Sequence, residues 1–184
     1  MHIKFSVKLM KSRMPFLIVF IIAFILFLFF IYLKIFDSEH SSRPDKERQE
    51  LIIQKATTLG DALRRYVKQH EHLPPANRWE QSLKPFLPRS FTFDIPSEPG
   101  QLPRRFAMNS RLSALPVRDV PSPYWEQVVF FESTNLQPSA ADEMRSLPLE
   151  DQSKGFVVVY ADGVPEYISA ERMHTFLIKY GIKR

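Results

Sequence analysis

The chain has 184 residues, a formal net charge of +5, fifteen prolines, five glycines and no cysteine. The missing cysteine excludes disulfides, thiolate chemistry and cysteine metal sites, and so few glycines leave no glycine-rich phosphate loop. The basic excess sits wholly in the first 36 residues, where Lys4, Lys8, Lys11, Arg13 and Lys34 meet no acid; the other 20 lysines and arginines face 20 acids, a neutral balance that speaks against phosphate neutralisation and so against a nucleic-acid partner.

Pro15 to Leu33 is an uncharged run of 19 residues, rich in Phe and Ile. At ~1.5 Å per residue it would span about 28 Å as a helix, close to a bilayer core. The sequence therefore predicts a transmembrane anchor over 15–36, with Pro15, Phe16, Ile21, Phe27 and Leu33 in contact with the lipid bilayer. Lys4, Lys8, Lys11 and Arg13 form a basic flank over 1–14, whereas Asp37 and Glu39 follow the run. This asymmetry predicts a single pass through a bacterial inner membrane, with the N-terminus cytoplasmic and the remainder periplasmic. Ile35, Phe36 and Asp37 follow the run where a signal peptidase would require small residues, so a retained signal anchor is expected.

Ser38 to Pro44 (SEHSSRP) is polar and reads as part of a linker, 37–44, before a domain over 45–184. Ile52, Ala56, Leu59, Leu63, Tyr66 and Val67 recur at three- and four-residue steps and predict an amphipathic helix ending near His70. Asn77 and Glu80 have capping-box spacing for a short helix carrying Trp79, Leu83, Phe86 and Leu87. Phe91–Ile95, Arg105–Met108 and Gln127–Phe131 read as strands. Ser133 to Lys154 reads as a polar loop with a short helix around Ala141–Arg145. Phe156–Ala161 (FVVVYA) is apolar on both faces and is the strongest strand pattern. Asp162-Gly163 then predicts a two-residue hairpin turn into Val164–Ile168. Ser169 can cap a last helix that stops at Gly181. The order predicts an α+β domain: a long amphipathic helix packed on a small antiparallel sheet, closed by a C-terminal helix.

Residues suited to chemistry are scattered. His70 and His72 lie two apart at a helix end, which does not place them on one helical face. His2, His40 and His174 stand alone. Ser133 and Ser169 lack a nucleophile-elbow context. Asp162 is accounted for by the turn, and Glu132 reads as a strand-end charge. Asp142, Glu143, Glu150 and Asp151 could offer oxygens to calcium but lack a regular ligand spacing. Without further ligands nearby, His70 and His72 read as solvated helix-end residues and not as a zinc site. No catalytic, cofactor or metal site is therefore predicted, calcium being the one cofactor left open.

Four segments in order resemble the prepilin-like proteins related to type II secretion pseudopilins. LGDALRRYVKQHEHLPPANRWEQSLKPFLP (Leu59 to Pro88) is similar to that family's LKQIGLALHMYxxxxGxxPP helix with its Trp-Leu-Pro continuation. IPSEPG (Ile95 to Gly100) and FAMN (Phe106 to Asn109) resemble its CPSDPG and YAMN segments, and VVVYADGVPEYIS (Val157 to Ser169) resembles its closing strand around Asp-Gly. Gln152 and Val164 stand where the family has His, and Ser12-Arg13-Met14-Pro15-Phe16 stands where prepilins carry a processing segment with Glu. The resemblance implies a pseudopilin-like domain without the assembly handle, in a non-enzymatic envelope protein that contacts other envelope proteins. Two alternatives are a true secretion or pilus pseudopilin subunit with unorthodox processing, and a membrane-tethered enzyme or small-ligand binder.

Overall fold

A computed structural model of the chain describes residues 7–97, 102–150 and 154–182 and, in its first helix, the side chains of 24–29, 31 and 46 onward. Two compact units are present, Met1–Glu47 and Arg48–Arg184. Helix α1 runs over Val7–His70. Ser38 to Pro44, within the expected linker 37–44, is helical. Polar residues do not themselves break a helix, and Pro44 removes only one backbone donor. The unit boundary falls three residues later than the sequence placed it.

The fold class is corrected as well. Among the described residues no helix is long and apolar enough to cross a membrane. Within the uncharged run, Phe24–Phe29 and Ile31 are described, and Phe27 is exposed. The side chains of Pro15, Phe16, Ile21 and Leu33, and of Lys4, Lys8, Lys11 and Arg13, lie outside the described residues.

In the second unit, Ile52, Ala56, Leu59, Leu63 and Tyr66 are buried on one face of α1, the stripe seen in the sequence. The helix ends where Glu71 turns left-handed at φ 59°. Helix α2, Trp79–Leu83, lies between two single 3-10 turns and buries Trp79 and Leu83. Asn77 does not cap it: no side-chain cap is formed at either helix start, because the Glu80 carboxylate turns to Arg105 instead.

Six strands follow: β1 Asp94–Ile95, β2 Arg104–Asn109, β3 Val128–Ser133, β4 Ala141–Asp142, β5 Phe156–Tyr160 and β6 Pro165–Ile168. Their order is β1-β2-β3-β5-β6, all antiparallel, while β4 lies parallel beside β2. Of the expected Phe91–Ile95 strand only β1 forms, although the Phe93 carbonyl still accepts from the Phe106 amide at 3.0 Å; Phe91 and Phe93 pack edge to face, 5.2 Å between centroids. A strand also replaces the helix expected around Ala141. Asp142 Oδ1 accepts from the Arg145 amide at 2.7 Å, an Asx-type turn that competes with helix.

Alternate side chains sort to the two sheet faces. Phe106, Met108, Phe130, Val157 and Val159 pack with α1 in one cluster. Ala107, Val128, Phe131, Phe156 and Val158 pack in the other with Met173, Phe176 and Leu177 of helix α3, Ala170–Lys179. The sheet is the middle of three layers, which is why β5 reads as apolar throughout. A bulge between Val128 and Phe130 keeps both Val129 and Phe130 on the α1 side.

The β5–β6 turn holds three residues rather than two. The Tyr160 amide donates to the Val164 carbonyl at 3.0 Å, enclosing Ala161–Gly163, and Gly163 alone has positive φ, at 79°. Asp162 Oδ1 accepts from the Val164 amide at 3.0 Å, which accounts for the aspartate. At the end of α3 the Ile182 amide bonds to the Leu177 carbonyl and the Gly181 amide to that of Ile178, a Schellman closure. Ser169 does not cap this helix through its side chain; its hydroxyl donates to Glu171 at 2.9 Å.

Candidate functional site

Among the described residues the most deeply buried charged group is Glu132, near the end of β3 and 1% exposed. Pairing with β2 sets it opposite Phe106, on the α1 side of the sheet. Its Oε1 accepts from Arg104 Nη1 at 2.8 Å and from Arg48 Nη2 at 3.3 Å, and its Oε2 from the Val157 amide at 3.2 Å. Arg48 also donates through Nε to the Pro96 carbonyl at 3.1 Å. Its two oxygens thus accept three hydrogen bonds and tie α1, β2, β3 and β5 together. Arg104 Nε is the one buried side-chain polar atom without a partner among the described residues. Sequence reasoning missed the role of Glu132, because its partners come from positions 28 and 84 residues away.

A second constellation surrounds Glu80 of α2. Arg105 donates to both of its oxygens, at 2.9 and 2.8 Å, and the Ser139 amide donates to Oε1 at 2.8 Å. Arg105 also meets Asp94 at 2.5 Å. Burial alone would lower the Arg105 pKa, but the Glu80 and Asp94 carboxylates outweigh it and raise the value. This cluster locks α2 and the 139 loop onto the sheet edge.

Among the described residues, two grooves on the surface of the second unit are of a size to hold a ligand. The larger, about 710 Å³, is lined by Val67, His70, Glu71, His72, Pro116 and Arg118 among others. It is built where α1 ends: the left-handed Glu71 turns the chain so that His72 bridges to Pro116 and the Val117 amide bonds to the Glu71 carbonyl at 3.0 Å. His70 and His72, set apart by the sequence reading, are brought together with ring centroids 5.8 Å apart. The smaller groove, about 340 Å³, has Leu87, Phe91 and Phe93 as its apolar wall and Lys84 and Arg89 beside it.

The acidic loop does not assemble an oxygen cage. Asp142 takes the Arg145 amide and the Ser146 hydroxyl, while Glu143 accepts from Arg111 at 2.7 Å and Arg145 at 3.4 Å. The Arg111 hydrogen bond and charge hold Glu143 below the usual carboxylate range. Asp151 lies outside the described residues. Among the described residues no group of three or more metal-ligating side chains is found. Ser133 shares a hydrogen bond with Ser146 and accepts from the Asn135 amide, and His174 is exposed on α3. Asp162 and Gly163 lie in the β5–β6 turn, which is one residue longer than the two-residue turn expected.

Two large apolar side chains stand out of the surface near one another in the bonding pattern. Trp125 is 62% and Ile178 68% exposed. The turn bearing Trp125 is fixed on both sides: the Tyr124 hydroxyl donates to the Ala161 carbonyl, and the Tyr180 hydroxyl to the Glu126 carbonyl at 2.5 Å. Lys179 pairs with Glu126 at 2.9 Å. These bonds hold the end of α3, and Ile178 with it, beside the Trp125 turn. Against known proteins, no family model, no curated protein and no solved structure matches this chain.

Proposed function

We propose that the chain is a non-enzymatic protein of the bacterial envelope whose second unit makes protein–protein contacts. The observation that carries this reading is Trp125, a large aromatic held out into solvent on a turn fixed by Tyr124 and Tyr180. A pre-ordered aromatic loses little entropy on burial and is the side-chain type that dominates interface energetics. The ionisable clusters support the reading from the other side, since Glu132 and Glu80 spend their oxygens on arginines and backbone amides and so serve the fold. The resemblance of Leu59 to Ser169 to pseudopilin-related proteins also favours a contact role. Location at the cytoplasmic membrane, with the second unit on the periplasmic side, rests on the uncharged Pro15–Leu33 run and the four cations before it.

The test is a photo-crosslinking residue placed at position 125 of the full-length chain in living bacteria, followed by mass spectrometry. Discrete adducts with other envelope proteins are expected, lost when the crosslinker is moved to an exposed polar site such as Arg89. Adducts with lipid alone, or none at position 125, would overturn the contact reading. Protease added to spheroplasts should cut the second unit, and full protection of that unit would overturn its periplasmic location.

A further inference from the structure

We propose that His70 and His72 form a binding site for a divalent first-row transition cation, Zn²⁺, Ni²⁺ or Cu²⁺, at the end of α1. Residues two apart on a continuing helix diverge. Here the helix stops at His70, and Glu71 at φ 59° folds His72 back, so that the ring centroids lie 5.8 Å apart at an interplanar angle of 42°. Two imidazoles that each give one nitrogen to a shared ion at about 2.0–2.1 Å have centroids roughly 4.5–6.4 Å apart, according to the angle at the metal. The observed separation lies within that interval.

The surroundings orient both rings. His72 Nδ1 lies 2.8 Å from the Leu73 carbonyl. A carbonyl can only accept, so Nδ1 carries a proton, which makes Nε2 the nitrogen that would face a metal, the arrangement by which neighbouring groups orient a metal-binding histidine. The His70 ring lies against Tyr66 at 4.4 Å and meets Phe86 at 6.4 Å. Both histidines line the larger groove, so an ion reaches them from solvent and water completes its coordination.

Ligand chemistry selects the metal class. Imidazole suits zinc, copper and nickel, whereas magnesium and calcium require oxygen. Lys68 and Arg118 line the same groove and repel a cation, while Glu71 attracts one. With two protein ligands and that balance of charge, the site is an exchangeable one, unlike a closed structural zinc centre. It is independent of the contact surface at Trp125.

Metal titration of the full-length chain, followed by the imidazole carbon-bound proton resonances in NMR, provides the test. Zn²⁺ should shift the His70 and His72 signals together and leave His174 in place, and Mg²⁺ should shift none. His70→Gln and His72→Gln should each weaken Zn²⁺ binding at least tenfold in calorimetry with unchanged circular dichroism. Joint shifts in the wild-type chain do not depend on either variant folding. No shift at millimolar Zn²⁺, a shift confined to His174, undiminished affinity in both variants, or an equal response to inorganic phosphate without metal would each overturn the assignment.

Discussion

Gly60 of α1 and Gly163 of the β5–β6 turn meet backbone to backbone. A Cβ built on Gly60 would stand 2.0 Å from the Gly163 carbonyl oxygen, and one built on Gly163 would stand 2.6 Å from the Gly60 carbonyl oxygen. Gly163 further needs its positive φ of 79°. The sequence reading explained Gly163 through the turn and gave Gly60 no role. The structure shows that the tip of the hairpin is pressed against the helix, with Arg64 Nη1 bonding the Asp162 carbonyl at 3.2 Å.

Gly60→Ala therefore runs against helix propensity. In an exposed helix interior the change would stabilise by up to ~1 kcal/mol. Here the obstructing atoms are backbone, which cannot swing aside, and overpacking of this kind costs about 3 kcal/mol. Urea unfolding of the variant should show a lower midpoint with an unchanged slope; a higher midpoint would refute the close approach.

The buried ion cluster predicts a non-additive pair. Glu132→Leu leaves Arg104 and Arg48 without their counter-charge and should destabilise by about 3 kcal/mol. Arg104→Met alone should cost a similar amount, because it strips the closest cation from a carboxylate that is 1% exposed. Glu132→Leu combined with Arg104→Met removes the carboxylate and its nearer cation, at the price of leaving Arg48 to find water. The double variant should lose clearly less stability than the sum of the singles, measured by chemical unfolding in a full mutant cycle.

These two contacts mark what the sequence could disclose. Periodicity exposed the α1 stripe from Ile52 to Tyr66, composition exposed β5, and Asp162-Gly163 exposed its turn, since each depends on neighbours in the chain. Glu132, Arg104 and Arg48 were not legible, because their meeting depends on the register of β2 against β3 and on where α1 crosses them. The approach of the His70 and His72 rings was not legible for a local reason: Glu71 takes a left-handed conformation uncommon for its type, and no pattern in HEH announces it. Ala141–Arg145 was misread because its composition suits a helix, while Asp142 uses its carboxylate to hold a turn.

Alkaline pH should weaken the fold through its tyrosines. Burial, and then the hydrogen bond to Glu166, push the Tyr160 hydroxyl far above its ordinary value, and burial raises Tyr66, Tyr124 and Tyr180. The native state thus holds these protons more tightly than the unfolded chain. Their stabilisation is fully present below the unfolded value of about 10 and is lost as pH rises through the folded values. Phenolate absorbance should titrate later in the native protein than in urea, and the thermal midpoint should fall above about pH 10. Coincident titrations in both solvents would contradict this.

The two tryptophans should report two environments in one protein. Trp79 is 0% exposed, donates from Nε1 to the Ala140 carbonyl at 3.0 Å, and lies 4.8 Å from the Phe130 ring and 5.0 Å from that of Phe93. Trp125 is mostly solvated. Acrylamide should quench the Trp125 emission strongly and that of Trp79 weakly, so a plot of quenching against concentration should curve downward. Trp125→Phe should remove the accessible component with little change in stability, since it gives up no internal bond. Trp79→Phe should instead cost about 1–3 kcal/mol, because it loses both ring volume and the donor to Ala140. Equal quenching of the two single-tryptophan variants would mean that the ring at position 79 is not enclosed between α2 and the sheet.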